Sequence, residues 1–521
     1  MSDDFDEVWH ELLKWLRTFE GSTDVERHVR LVHNAAGRGL VARTDLPPST
    51  LLISIPNAAL LNLYTLTPLY PPSFTLNGRL NATQLISLHL ALQFRQHLFT
   101  PAAINDEGSG KGKATESLSK KQQQEHAARD KFWPFLATLP RSFPSHPLTW
   151  SVLSQSDRQL AKTYSIADGG LKDTSMKGRR ELPTSEREKY SKVLEAMGPG
   201  LRRRVDQVEK RFRCDWTEVL RAWTESGSEV GDVEFGFHDF LLGWLNVNTR
   251  CIYFDLPTHR HSPSHWTKKD NSLTLCPVID MINHKSSLST KPHPTPTALT
   301  FSSPSRSSPD DKVVEGDELK FSYGGHDDEF LLSEYGFVIG DEENEYNSVN
   351  VDKYVEALFA SQGREGELKR AILEEKDYWG DMTFQSHPTA SPSWRVLVAL
   401  RLFHLRLPSS AISSSTSALS LASAESLAPF YDVLTGTIDQ ISHANESKVR
   451  SSVKAIATNL VIETRGGIER CDALEREWRN KQSTDAVEGE GGRDDLFEWL
   501  KMVKEIWTGE GTIAKAIAEQ Q

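Results

Sequence analysis

Cysteine is scarce in this chain. Its 521 residues hold only Cys214, Cys251, Cys276 and Cys471, and no two of them form a CxxC or CxC pair. That argues against a disulfide framework and a cysteine-based zinc cluster, and it fits a reducing cytosolic or nuclear setting. Long apolar runs are missing too. None reaches the length of about eighteen residues that a membrane-spanning helix needs, so no membrane association is expected. The acidic start, Met-Ser-Asp-Asp-Phe-Asp-Glu, lacks a basic region and an apolar core, which predicts no secretory signal. Positive charge is in deficit: 60 Lys and Arg face 72 Asp and Glu, for a net charge of −12. Direct nucleic-acid binding is therefore disfavoured, whereas a basic protein partner would be attracted. No Gly-x-Ser-x-Gly elbow and no P-loop occurs, which removes two common enzyme classes.

What is present reads as an ordered chain of two or three domains. Phe5, Val8, Trp9, Leu12, Leu16 and Phe19 recur at helical spacing and predict an amphipathic helix over 4–19. Apolar runs broken by Gly and Pro follow, from Gly37-Arg38-Gly39 through Asp45-Leu46-Pro47-Pro48 to Ile53-Ser54-Ile55-Pro56. These read as short strands and turns. Residues 82–98 and most of 150–250 read as helical. The stretch 104–130 is rich in Gly, Ser, Lys and Gln, and predicts a disordered insertion. A polar stretch at 168–188 interrupts the helices. Leu273 to Ile279 is apolar and β-prone. A second Ser/Thr/Pro-rich insertion at 285–312 is also expected to be disordered, although Ala298 to Ser302 could form a short strand. A strand over 318–323 and a short helix over 329–335 follow. Beyond about 350 the pattern is helical. Val449, Val453, Ile456 and Leu460 form one stripe that is expected to stop at Gly466-Gly467. Leu496, Leu500, Val503 and Trp507 form another. Between 409 and 424 lies a Ser/Ala-rich linker.

The chemistry-bearing residues are individually ambiguous. Gly37-Arg38-Gly39 is either a tight turn or a backbone approach to a ligand. Asn283 and His284, at the end of Asp280-Met281-Ile282-Asn283-His284, can satisfy turn backbone or hold a ligand. His259, His261 and His265 cluster in a Pro-containing loop without acidic or cysteine companions, so no metal site is expected. Tyr323 in Phe321-Ser322-Tyr323-Gly324 is either an ordinary strand aromatic or an orienting or proton-transfer hydroxyl.

Order and spacing are more specific than any single motif. Gly37-x-Gly39-Leu-x-Ala, then Asp45-Leu46, then Ile53-x-Ile55-Pro56 resembles the opening of a SET domain. Phe132-Trp133-Pro134-Phe135-Leu136 with Leu139-Pro140, Asn248-Thr249-Arg250-Cys251, and Asp280-Met281-Ile282-Asn283-His284 resemble the internal motifs of one SET branch. Gly316-Asp317-Glu318-Leu319, Ser322-Tyr323-Gly324 and Tyr335-Gly336-Phe337 resemble its closing elements. That branch is typified by the Rubisco large-subunit methyltransferase and includes fungal ribosomal-protein lysine methyltransferases.

The resemblance implies an α+β chain. An N-terminal helix over 1–23 would precede a SET-domain β-fold with a helical insertion over 24–340. An all-α substrate-binding domain would follow at 350–510. It implies S-adenosylmethionine-dependent protein-lysine N-methylation of a non-histone protein, a ribosomal protein being one candidate. Histidine methylation by the same fold and a catalytically silent binding module are the alternatives. Tyr323 would be the methyl-transfer tyrosine. Gly37, Arg38, Gly39, Arg250, Asp280, Asn283, His284 and Tyr323 would hold the cofactor, and Asp280, Tyr335 and Phe337 the substrate. No metal is implied, and a monomer in the cytosol, the nucleus or both is expected. Two departures stand out: Ala36 where many relatives carry Glu, and Arg38 where an apolar residue is common. The run Gly340-Asp341-Glu342-Glu343-Asn344-Glu345 reads either as solvated surface or as an acidic lip for a basic substrate.

Overall fold

The computed structural model describes residues 2–34, 37–75, 79–98, 130–164, 182–226, 235–256, 271–286, 288, 290–305, 312–340, 344–407, 421–484 and 495–520. Outside the described residues lie Ala36, the 104–129 part of the first insertion, His259, His261 and His265. So do Asp341, Glu342 and Glu343 of the acidic run and most of the 409–424 linker. The chain divides into two compact units. Met1–Glu188, Val205–Gly324 and Glu334–Gly336 form the first. Lys189–Arg204, Gly325–Ser333 and Phe337–Gln521 form the second.

In the first unit, the helix Ser2–Leu16 buries Trp9, Leu12 and Leu16 of the expected stripe and Leu13 beside it, and it ends before Phe19. Strands β1 (Val29–Asn34) and β2 (Gly37–Ala42) form an antiparallel hairpin with Val29 opposite Ala42. The free edge of β2 takes up the segment before Tyr323: Ala42 N donates to Asp317 O at 2.9 Å and Leu319 N to Leu40 O at 2.7 Å. β3 (Leu51–Pro56) pairs antiparallel with β8 (Ala298–Ser302), and β7 (His293–Pro294) pairs with the other side of β8.

The 285–312 stretch is therefore not a featureless loop in its described part. The short strand allowed at Ala298 to Ser302 is present with those bounds, and it supplies Leu299 and Phe301, 1% and 2% exposed, to the main core. The apolar run 273–279 gives only a two-residue strand, β5 (Leu273–Thr274), paired with β4 (Ile252–Tyr253). β6 (Asn283–His284) runs parallel to β9 (Lys320–Phe321), the regular part of the expected 318–323 strand.

Two helices of this unit, Ala82–Leu98 and Phe237–Arg250, pack against each other. The Asp215 carboxylate fastens them, accepting from Gln84 Nε2 and from Trp244 Nε1, each at 2.9 Å. The short segment Glu334–Gly336 is held by two further contacts. Asn248 Nδ2 donates to Glu334 O at 2.8 Å, and buried His146 places Nε2 3.2 Å from the same oxygen. His146 also caps the helix Pro147–Leu153, its Nδ1 accepting from Leu148 N at 3.1 Å. Both ring nitrogens are thus committed, one as acceptor and one as donor, which is the neutral tautomer.

The second unit is helical as expected, with a small antiparallel sheet in addition: β10 (Ser348–Asn350), β11 (Thr383–Gln385) and β12 (Ser391–Pro392). Val349, Phe384, Leu400, Phe430, Val453 and Ile513 are among its core residues. The helix expected to end at Gly466-Gly467 instead runs unbroken from His443 to Thr484. Packing overrides the glycine signal. Beyond the glycines Cys471, Leu474 and Trp478 continue the buried stripe, and Gly467 lies against the Trp507 indole of the helix Asp495–Gln520.

Two outcomes follow from these contacts. A Cβ on Gly467 would fall 2.3 Å from Trp507 Cε2, whereas one on Gly466 would meet nothing within 4 Å. Gly467→Ala should therefore destabilise by about 1–3 kcal/mol through overpacking, and Gly466→Ala should stabilise by up to about 1 kcal/mol. Paired thermal melts check both. Burial lowers the His146 pKa from 6.5 to about 4. The unfolded chain therefore binds the extra proton first. Stability is complete above pH 6.5, falls as pH drops, and by pH 5 is reduced by about 2 kcal/mol. Amide exchange in Pro147–Leu153 and Glu334–Gly336, corrected for intrinsic rates, should register this loss. His146→Asn keeps a capping oxygen and should flatten the pH dependence.

Candidate active site

The site grows from one junction. Asn283, the first residue of β6, donates through Nδ2 to Arg38 O at 3.1 Å and to Glu318 Oε1 at 2.6 Å. Gly39 makes the approach possible. A Cβ there would sit 2.5 Å from Glu318 Oε1 and 3.2 Å from Asn283 Nδ2, so no side chain fits without displacing the junction. Its neighbour Gly37 opens β2 at a φ of +116°, a conformation that favours glycine.

The parallel β6–β9 pairing sets His284 opposite Phe321, and Tyr323 follows two residues later. Its backbone N donates to His284 Nδ1 at 3.0 Å. Its hydroxyl donates to Ile282 O at 2.8 Å. The tyrosine is thus pinned at both ends to the segment that carries Asn283 and His284. His284 Nδ1 is an acceptor here, so the ring proton lies on Nε2, 3.3 Å from Ser286 Oγ. With its proton used by Ile282 O, the phenol oxygen keeps lone pairs for accepting. Burial raises the Tyr323 pKa well above the ordinary value, and nearby Arg250 opposes only part of that, so the ring stays neutral. The Tyr335 ring lies 5.3 Å from the Tyr323 ring, and burial likewise pushes its phenol up to about 12.

On another wall the helix Phe237–Arg250 ends at Arg250, whose Nη1 donates to Asp280 O at 2.8 Å and Asp280 Oδ2 at 3.1 Å. Asp280 is presented by the tight turn Ile279–Met281. Just before it, buried Val278 adopts a φ of 68°, a left-handed conformation that costs a β-branched residue about 1–3 kcal/mol. The Asp280 side chain is 1% exposed. Burial raises its pKa, although Arg250 and Arg38 both pull it down. Arg38 feels burial first and the Arg250 charge second, which together lower its pKa to about 10. Its Nη1 donates to Thr138 O at 2.5 Å and its guanidinium lies over the Phe5 ring. Asp280 Oδ1 and Arg250 Nε remain buried with no hydrogen-bond partner. Such orphans are costly and mark a place where a ligand would bring partners.

Arg250, Asp280, Tyr323 and Tyr335 line one cavity of about 320 Å³, with Phe321 and Ile282 among the apolar walls. Four of the residues singled out in the sequence thus meet in one place. Gly37, Arg38, Gly39, Asn283 and His284 do not line it; they build the junction that fixes its tyrosine. Phe337 falls in the second unit. Cys251 and Ile252, directly after Arg250, also line the cavity, as do Lys291 and Pro292. Cys251 closes the Asn248-Thr249-Arg250-Cys251 motif, and adjacency to it could have pointed to Ile252. Nothing in the composition of the 285–312 stretch pointed to Lys291 and Pro292. Among the described residues no cluster of His, Cys, Asp or Glu could hold a metal ion, and no helix is long and apolar enough to cross a membrane.

No family model matches the chain. Over 260 residues it is 26% identical to ribosomal lysine N-methyltransferase 2 of Saccharomyces cerevisiae, covering 44% of this chain and 51% of that protein. Over 162 residues it is 29% identical to ribosomal lysine N-methyltransferase set11 of Schizosaccharomyces pombe, covering 31% of this chain and 35% of that protein. The chain thus matches about half the length of the first relative and about a third of the second. Similarity to human SET domain-containing protein 4 is 23% but extends over 513 residues, 98% of this chain and 90% of that protein. Among solved structures, the SET domain of LSMT bound to lysine and AdoHcy aligns with a TM-score of 0.54 at 13% identity, covering 99% of this chain and 91% of that one. Rubisco LSMT bound to AdoMet aligns with a TM-score of 0.52 at 13% identity, covering 98% and 91%. The resemblance read from the motif order is borne out: the chain has the SET-domain fold of the Rubisco large-subunit methyltransferase type.

Proposed function

We propose that this protein is an S-adenosylmethionine-dependent protein-lysine N-methyltransferase acting on a non-histone protein. A ribosomal protein is the favoured substrate, because the two yeast relatives are named for that activity. The observation that carries the reading is the doubly pinned, neutral Tyr323, set beside Tyr335 in a cavity with one polar and one aromatic side. Bound S-adenosylmethionine would supply a methyl group on a sulfonium. The residues present suit its amino-acid end, since unpartnered Arg250 Nε can donate to a carboxylate and unpartnered Asp280 Oδ1 can accept from an ammonium. Gly37, Arg38, Gly39, Asn283 and His284 complete the cofactor side in this reading.

The chain's own residues then do three things. Phe321, Tyr323, Tyr335 and Ile282 form an apolar sleeve that disfavours the cationic amine and so promotes its neutral, nucleophilic form. The Tyr323 oxygen, with its proton committed to Ile282 O, accepts a polarised hydrogen from the amine or methyl and aligns the two for in-line transfer. Burial of the cavity's polar wall keeps water from competing for those acceptors. Phe337 and the helical region at 350–510 are assigned to substrate binding. A basic substrate, a monomeric enzyme, no direct contact with nucleic acid, and a cytosolic or nuclear setting belong to the same reading.

The test is methyl transfer from labelled S-adenosylmethionine to cell extract and to purified ribosomal subunits. Wild type should label a protein on lysine. Tyr323→Phe should lower kcat by about 100-fold, with S-adenosylmethionine affinity and circular dichroism unchanged. Equal rates for the two proteins would refute the role of Tyr323. A labelled histidine would overturn the lysine assignment, and a wild type that labels nothing would leave a binding module.

A further inference from the structure

Lys291 lines the same cavity as Tyr323 and Tyr335, yet it comes from the 285–312 stretch between the two site motifs. Apart from Arg250 it is the one cationic side chain on the cavity's described lining. Arg250 is bound to Asp280. Lys291 is exposed and, among the described residues, engages no carboxylate. Its backbone is not at liberty. Pro292 restricts Lys291 to extended conformations. Immediately after Pro292, β7 docks onto β8, with His293 opposite Thr300 and Pro294 opposite Leu299. On the other side Lys285 N donates to Phe321 O at 3.2 Å. The extended Lys-Pro dipeptide is thus held on its C-terminal side by the β7–β8 pairing, and six residues before it the chain is tied to Phe321 of the cavity wall, with a flexible four-carbon arm to reach inward.

We propose that Lys291 is itself a methyl acceptor, methylated in cis in the cavity that it lines. This rests on the methyltransferase reading above. After the Lys291 ammonium loses a proton to solvent, the Nζ lone pair forms the N–CH3 bond as the S–CH3 bond of S-adenosylmethionine breaks. The sulfonium becomes the neutral thioether of S-adenosylhomocysteine, and the positive charge passes to the methylated nitrogen. No oxidant or reductant is needed. Tethering makes the step effectively unimolecular, so Lys291 competes well with a dilute external protein.

The experiment uses the full-length purified protein with deuterated-methyl S-adenosylmethionine and no other substrate. Trypsin does not cut before Pro292, so the tryptic peptide 286–306 keeps Lys291 as its one lysine. A mass shift on that peptide is expected, with the methylated fraction rising at the same rate across a wide dilution of the protein. Lys291→Arg should abolish it, and Tyr323→Phe should slow it in parallel with transfer to external protein. An unmodified peptide while external protein is labelled would overturn the proposal and leave the enzyme reading intact. A rate that climbs with protein concentration would overturn the cis reaction. No labelling of any protein would overturn both readings.

Discussion

One carboxamide ties the site together. The Asn283 side chain bonds a backbone oxygen 245 residues before it and a carboxylate 35 residues after it. It thereby locks the N-terminal hairpin, the β6 segment and the approach to Tyr323 into one arrangement. Each strand involved is short, and β6 and β9 have two residues each. Ladders this small do not hold register unaided. The side-chain bonds of Asn283 and His284 supply what the backbone ladder lacks. Gly39 is the complementary constraint, because the carboxamide and Glu318 occupy the space of its missing Cβ. Removing either partner would loosen Tyr323 without touching it.

The electrostatics of the cavity follow from that geometry. Arg250, on the lining, and Arg38, which is not, both act on one buried carboxylate, that of Asp280. Burial first and the Arg250 charge second drive the Arg38 guanidinium down to about 10, while burial raises Asp280 against the pull of both arginines. A corner of that kind favours an anionic group on a ligand and disfavours an entering ammonium. The same imbalance that would hold a carboxylate therefore also favours an amine that arrives neutral. Cofactor binding and nucleophile activation need not be separate devices in the proposed reaction.

The sequence made the site's anchors legible because each lies in a compact motif whose role is local. Asp280, Asn283 and His284 fit in five residues, and Tyr323 follows a strand of marked β pattern. What the sequence hid depends on distant packing. Gly466-Gly467 carries a stop signal that packing overrides, through the buried Cys471, Leu474 and Trp478 beyond it and the Trp507 indole against Gly467. Ala298–Ser302 is open to reading as a short strand, but its pairing with β3 is not. The pairing of Arg250 with Asp280 joins two motifs 30 residues apart through side-chain geometry that no spacing rule supplies. Lys291 belongs to the same class, since its place follows from the β7–β8 pairing.

The state of Tyr323 limits what it can do. Its proton is donated to Ile282 O, and its desolvated phenol is far harder to ionise than a free one. It cannot serve as the base that deprotonates an incoming amine. Tyr335, pushed up to about 12, cannot either. Asp280 is the one carboxyl group on the described lining, and Arg250 holds one of its oxygens; the Cys251 thiol is pushed up well above its ordinary value by burial. In the proposed reaction the proton would then leave before the amine is seated, into solvent at the mouth. In that proposal selection for a neutral amine would fall to the sleeve itself: aromatic walls and the nearby arginines would exclude the protonated form, and Tyr323 would align what enters. In that division of labour the tyrosine's value is its position, which returns the question to the junction at Asn283.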